Sequence, residues 1–349
     1  MRAIPLARLR GSLATAAAIL VVVGIGGATP ASAAGGTALP AHVFAPYFET
    51  WTSDGITATA NQSGDRYFTL AFLESLSKAS CTVAWNGSSS QTVASGRYLS
   101  DIASLRALGG DVFPSFGGWS ADQAGTEIAD SCKNVDTLAA AYKNVIKTYN
   151  VTRLDMDVEG RSLTRSAGID RRNKALKIVE VWAAAHNHPL QISYTLPTSA
   201  SGLDSSGLAV LQNAAANGTR VDVVNIMTFD YYDGTTTQMG AAAISAAKGL
   251  FSQLKTLYPG KTVAHLWGME GNTIMNGVDD YPKKTEVTYP ADAQRLYNFA
   301  KSKGIDTLSM WAIQRDNGGC PDGRAANDCS GIAQSTWEFS HILAPYTGA

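Results

Sequence analysis

Short apolar runs alternate with stretches of helical period along nearly the whole chain, and no other feature of the sequence restricts its fold as strongly. Runs fit for strands lie at 42–48, 67–73, 112–116, 153–158, 191–196, 221–229, 262–267 and 307–313. Between them apolar residues recur every three or four positions, as in Leu99, Ile102, Leu105 and Leu108 before Gly109-Gly110. Leu138, Tyr142, Ile146 and Tyr149 repeat the pattern, as do Ala175, Ile178, Val181 and Trp182. Further helices are expected around Leu208, Ile244, Ala293 and Trp337, whereas the first crossover, 49–66, is rich in Thr, Ser and Gly and offers no convincing helix. Strand-helix alternation means parallel strands joined by right-handed crossovers. Eight units favour a closed α/β barrel, the (β/α)8 TIM barrel, over an open doubly wound sheet. No Gly-x-Gly-x-x-Gly opens the first unit, and no Pro/Ser/Thr-rich linker marks a second domain. In such a barrel the functional residues stand at the C-terminal ends of the strands.

The first thirty-three residues do not belong to this pattern. Arg2, Arg8 and Arg10 precede an uncharged, mostly apolar run from Leu13 to Ile25, and Ala31-Ser32-Ala33 fits the small-x-small cleavage rule. Residues 1–33 therefore read as a secretory signal and 34–349 as the mature domain; the alternative, an uncleaved anchor, is disfavoured because the apolar core is short for a spanning helix. Cleavage would leave 25 basic against 29 acidic residues. A mildly acidic chain without a basic cluster is a poor nucleic-acid binder, and no second apolar run of spanning length follows. A secreted, extracellular protein, free of the membrane once cleaved, is expected. Export makes the four cysteines readable as disulfides. Cys320 and Cys329 close a short loop rich in Pro, Asp, Gly and Asn, and Cys81 then pairs with Cys132 by default. A metal site is the alternative, but none of the five histidines sits at ligand spacing.

The fourth strand ends in Asp155-Met156-Asp157-Val158-Glu159. Alternation puts the three acids on one face and Leu154, Met156 and Val158 on the other. If the apolar set packs on helices, the acids point into the barrel. Three stacked carboxylates cannot all stay ionised there, so at least one pKa must rise, which suits a general acid. A solvated edge is disfavoured by the apolar alternate positions. A hard-cation site is disfavoured because its ligands usually come from loops with turn residues between them.

On these residues the chain resembles glycoside hydrolase family 18, the chitinases and endo-β-N-acetylglucosaminidases, and most of all secreted single-domain bacterial chitinases of the actinomycete type. Asp155-x-Asp157-x-Glu159 matches the family's acidic run, Ser115-Phe116-Gly117-Gly118 its Ser-x-Gly-Gly at the third strand, and Met227-Thr228-Phe229-Asp230 approximates its Met-x-Tyr-Asp at the sixth. Trp311 matches the tryptophan closing the eighth strand. The resemblance implies hydrolysis of β-1,4 links in chitin or N-acetylglucosamine oligosaccharides, by a monomer without cofactor or metal. Asp157 and Glu159 are two residues apart on one strand face and poorly placed to straddle a sugar ring. The substrate's own acetamido oxygen is then the better nucleophile, giving an oxazolinium ion with retention. Glu159 would be the general acid and base, Asp157 would orient the acetamido group, and Asp155 would hold a shared proton.

Two departures from the family pattern stand out. Phe229 occupies a position where relatives carry Tyr, so the hydroxyl must come from Tyr231, Tyr232 or Tyr194 or be absent. Thr152-Arg153 replace the usual Asp-Gly, a change expected to matter little for the chemistry. Trp311 is the expected floor of the site, with Tyr47 beside it, and Trp119 and Trp267 are further candidates for sugar stacking, although burial is the commoner fate of Trp267 and Trp85. Ser115, Gly117, Gly118, Met227, Asp230 and Tyr231 complete the expected binding set. The alternatives are an endo-β-N-acetylglucosaminidase acting on N-glycan cores and a non-catalytic sugar-binding barrel. The latter typically loses the acid that Glu159 keeps. A serine hydrolase lacks its Gly-x-Ser-x-Gly elbow.

Overall fold

A computed structural model describes residues 39–283 and 285–349. The expected leader, 1–33, lies outside the described residues. Eight parallel strands form the barrel: β1 in two pieces (Val43–Phe44 and Tyr47–Glu49), β2 (Tyr67–Ser75), β3 (Asp111–Gly117), β4 (Arg153–Asp157), β5 (Gln191–Ser199), β6 (Val223–Met227), β7 (Glu270–Met275) and β8 (Thr307–Trp311). Each pairs with the next, and the ring closes through β1, whose first piece pairs with β8 and whose second pairs with β2. The interruption falls at Ala45-Pro46, where proline has no N–H to give the ladder. Side chains bridge the gap: the Ala45 carbonyl accepts from Ser309 Oγ at 2.7 Å and Thr69 Oγ1 at 3.2 Å.

Around the strands lie α1 (Ile56–Ser63), α2 (Leu99–Ala107), α3 (Val135–Tyr149), α4 (Ser166–Ala185), α5 (Ser205–Ala216), α6 (Met239–Leu257), α7 (Pro290–Lys303) and α8 (Glu338–Leu343). The helical period in the sequence translates directly into burial on α3, where Leu138, Tyr142, Ile146 and Tyr149 face the core. Asn134 caps its start by accepting from the Thr137 N–H at 2.9 Å, and Asn150 ends it in the left-handed conformation. Helix α1, absent from the sequence expectation, is capped from outside. Asp101 on α2 accepts from the main-chain N–H groups of Ile56 at 2.7 Å and Thr57 at 3.0 Å.

The seventh strand is corrected as well. Residues Val263–Trp267 form a short helix capped by Thr262, and the strand is the polar stretch that follows. Asn272 and Thr273 find partners inside the wall, Asn225 Nδ2 donating to Thr273 Oγ1 at 2.7 Å and Thr228 Oγ1 to Asn272 Oδ1 at 2.7 Å, whereas the Glu270 carboxyl oxygens are buried without one. Gly271 passes so close to Asn225 that a Cβ would lie 3.0 Å from that residue's Cβ. Both expected disulfides are present, Cys81–Cys132 and Cys320–Cys329.

Candidate active site

Strand β4 carries the acids inward as alternation requires. Leu154, Met156 and Val158 are buried in the main apolar cluster on the outer side. The inner row begins one step earlier than the three acids, with Arg153. Its guanidinium, laid over the Phe113 ring, donates to Gln191, to Thr307 and, in a 2.7 Å ion pair, to Asp306, closing the base of the barrel. A residue expected to be incidental is therefore part of the barrel's inner packing. Between it and Asp155 lies a water-sized polar cavity of about 10 Å³, lined also by Ser193, Asn225 and Ser309.

Asp155 is buried and held by hydroxyls. Ser115 donates to its Oδ2 at 2.7 Å and Tyr47 at 3.0 Å, while Thr195 donates to Oδ1 at 2.8 Å. Burial raises its pKa, and these donors pull it back. Asp157 has no such support: its Oδ1 is buried without a partner. Burial, then the charges of Glu159 and Asp155, push its pKa well above the carboxylate range. Glu159, half-buried one step beyond the strand, is raised from 4.5 to about 7 by burial, partly countered by the Trp119 main-chain N–H on its carboxylate. Both shifts favour the protonated forms, and because each carboxyl bears on the other the two titrate together and not independently.

One member of the site was not legible in the sequence. Asp122, on the short helix Trp119–Ala124, is fully buried and accepts the main-chain N–H of Glu159. Burial, with Glu127 next to it, pushes its pKa up to about 9. No pattern signals it, because it reaches β4 only when the β3 loop folds across.

Above the acids opens a cleft of about 1010 Å³, lined by Tyr47, Gly117, Trp119, Asp157, Glu159, Met227, Phe229, Asp230, Tyr232 and Trp311, among others. The Trp311 ring stacks on Phe72 with centroids 5.6 Å apart and an interplanar angle of 13°, and Tyr47 lies 5.6 Å away. Trp51 borders the same cluster, and Trp119, 60% exposed, stands free on the cleft wall. Asp230 is raised to about 8 by burial and by Asp279 and Asp280.

Several expected binding residues lie elsewhere. Trp267 belongs to the short helix and stacks on Phe251 at 4.3 Å, outside the cleft; its apparent strand was helical. Trp85 is equally buried, donating to the Tyr149 hydroxyl at 2.9 Å. Ser115 serves Asp155 instead of facing the cleft. Gly118 lies under Phe72, where a Cβ would come within 2.5 Å of the ring, whereas Gly117 lines the cleft and packs on the Asp157 carbonyl. Of the three tyrosines considered in place of Phe229, Tyr194 is buried and donates to Asn173, and the Tyr231 hydroxyl is buried without a partner. Tyr232 faces the cleft with its hydroxyl close to Asp230; partial burial and the charge of that carboxyl raise its pKa. Strand alternation fails to predict this because β6 ends at Met227 and both Asp230 and Tyr232 adopt positive φ, 50° and 54°. Among the described residues no three His, Cys, Asp or Glu side chains are grouped to hold a metal ion.

A closed (β/α)8 barrel with buried acids at the end of β4 and an aromatic floor at the end of β8 has the architecture of a glycosidase. The sequence profile of glycosyl hydrolases family 18 matches residues 43–295, and the chain belongs to that family. It is 36% identical over 324 residues to the "Probable bifunctional chitinase/lysozyme" of Escherichia coli K12, covering 89% of this chain and 35% of that protein. It is 37% identical over 289 residues to "Endochitinase 11" of Metarhizium anisopliae, covering 80% of this chain and 53% of that one. The chain thus spans about a third to a half of these relatives' lengths. The crystal structure of the catalytic domain of a hyperthermophilic chitinase from Pyrococcus furiosus superposes with a TM-score of 0.77 at 33% identity, over 88% of this chain and 96% of that one. Catalytic-site mutants of that domain have been solved with chito-oligosaccharides.

Proposed function

We propose that the protein is a chitinase that hydrolyses β-1,4 links between N-acetylglucosamine units with retention, using the substrate's acetamido group as nucleophile. The observation that carries this reading is the pair of acids Asp157 and Glu159, both with raised pKa, at the wall of a cleft floored by Trp311. A sugar stacked on Trp311 would present its glycosidic oxygen to Glu159, which donates a proton as the bond breaks. Protonated Asp157 would orient the acetamido group so that its oxygen attacks C1. As positive charge develops on the oxazolinium, Asp157 can release its proton toward Asp155, which three hydroxyls hold ready as an acceptor. Glu159, now ionised, activates the water that opens the ring. The acetamido carbonyl needs hydrogen-bond donors, and a protonated Asp230 with the Tyr232 hydroxyl beside it supplies that chemistry. We further propose that residues 1–33 direct secretion and that 34–349 act as the mature enzyme, a monomer.

The test is release of reducing ends from a soluble chitin oligomer by the mature protein and by Glu159→Gln. The wild type should cut and the variant lose nearly all turnover. Full activity in the variant would sink the assignment of the acid, and inactivity of both would favour a sugar-binding protein. An inverted product anomer in early-time NMR spectra would exclude acetamido participation. Cleavage of a high-mannose glycopeptide in preference to chitin oligomers would point to an endo-β-N-acetylglucosaminidase.

A further inference from the structure

Glu159 lies beyond the last residue of β4, so the sheet ladder no longer fixes its direction. Val158 makes the last contact with β5, through its N–H to the Thr195 carbonyl at 3.0 Å. Gly160 then turns away with φ 42°. The support comes from the short helix Trp119–Ala124, which touches the strand end at three points. The Gly118 N–H donates to the Asp157 carbonyl at 3.3 Å, the Asp122 carboxylate accepts the Glu159 N–H, and the Trp119 N–H comes near enough to the Glu159 carboxylate to favour its charge. Asp122 is anchored by the helix that carries it, its own N–H donating to the Gly118 carbonyl at 3.0 Å. Its second oxygen is buried without a partner. Leaving a buried carboxyl oxygen unpaired is costly, so the side chain is ill suited to a merely space-filling role.

We propose that Asp122 is a positioning residue for the general acid: by accepting the main-chain N–H of Glu159 it fixes the direction in which that side chain leaves the barrel. The inference rests on the proposed role of Glu159. Asp122 thus holds Glu159 by its backbone from the same short turn that brings the Trp119 N–H towards its carboxyl group. Placing the acid to within a fraction of an ångström of the glycosidic oxygen is what such a grip controls, and a misplacement of about 1 Å costs roughly a hundredfold in rate.

The experiment compares wild type, Asp122→Asn and Asp122→Ala on a soluble chitin oligomer. Asparagine keeps an oxygen that can accept the same N–H and should stay within about threefold of wild-type kcat. Alanine removes the acceptor and should lower kcat by about 10- to 100-fold with KM within about twofold. A second readout needs no turnover: in protein labelled with ¹⁵N-glutamate, the Glu159 amide proton, identified by its disappearance in Glu159→Gln, should lie downfield in wild type and Asp122→Asn. Equal loss of kcat in both variants, undiminished kcat in Asp122→Ala, or an ordinary amide shift in the wild type would overturn the proposal. Should Asp122→Ala not fold, loss of the downfield shift in a fully active Asp122→Asn overturns it equally. A wild type inactive on chitin oligomers would refute the functional reading, and the amide spectrum would still decide on the Asp122 contact.

Discussion

Replacing Glu159 by Gln should stabilise the fold in alkaline solution while abolishing turnover. The folded protein raises the Glu159 carboxyl from 4.5 to about 7 by burying it beside Asp157. A carboxyl with a raised folded pKa is stabilised in its protonated form, so its contribution is complete below about pH 4.5 and is lost as the pH climbs through 7. At 1.36 kcal/mol per pKa unit the loss approaches about 3 kcal/mol by pH 8, against a few tenths at pH 4. Cleft water around a half-buried group reduces this to about 2 kcal/mol. Glutamine has nearly the same shape, keeps an oxygen near the Trp119 N–H, and never ionises. Glu49, Asp230 and Glu270, whose raised pKa values do not depend on Glu159, are common to both proteins and cancel in the difference; Asp157 and Asp122, which burial and the Glu159 charge push up, relax in the variant and shift the difference in the same direction. Urea unfolding of both proteins at pH 4 and pH 8 gives the measurement. The curves should nearly coincide at pH 4, and the variant should be the more stable by about 2 kcal/mol at pH 8. A difference independent of pH, or a wild type that gains on the variant with rising pH, would refute the electrostatic account of the site.

The same shift predicts that kcat/KM falls as pH rises through about 7, because the free enzyme must hold the proton that Glu159 delivers; a flat profile from pH 6 to 9 would contradict this. Trp311→Ala should raise KM for a chitin oligomer roughly tenfold by removing the stacking floor. Trp267→Ala should leave KM unchanged and instead cost about 3 to 5 kcal/mol in unfolding free energy, since its ring packs between Phe251 and Phe299. A KM effect at Trp267 would return it to the cleft. Tyr232→Phe should lower kcat about tenfold by removing the hydroxyl beside Asp230, with Tyr231→Phe near neutral as its control.

Helix α3 and the acid strand were readable because their burial follows a simple local period. Strand β7 was not, since Gly271, Asn272 and Thr273 find their partners on β6 and neighbouring residues, and a polar run looks like a loop until those partners are known. Helix α1 was missed for the same reason: its cap, Asp101, is distant in sequence. At the site, alternation placed Asp155, Asp157 and Glu159 correctly on one face. It could not choose among Tyr231, Tyr232 and Tyr194, because the strand ends at Met227 and positive φ at Asp230 and Tyr232 breaks any two-residue period beyond it. It also gave no hint that Ser115, matched by motif, would donate to Asp155 instead of facing the cleft.

By itself the sequence determined the barrel class, the strand that carries the acids, their common face and the cysteine pairing. Each of these depends on local periodicity, local composition or an even count in a small set. Only the tertiary structure decided which acid is supported and which is not, because burial and donors from β1, β3 and β5 set those pKa values. It also sorted the tryptophans into floor, wall and core, and brought Asp122 across 37 residues of sequence to the backbone of Glu159. Those outcomes turn on distances between strands and loops far apart in the chain, and no local period encodes them.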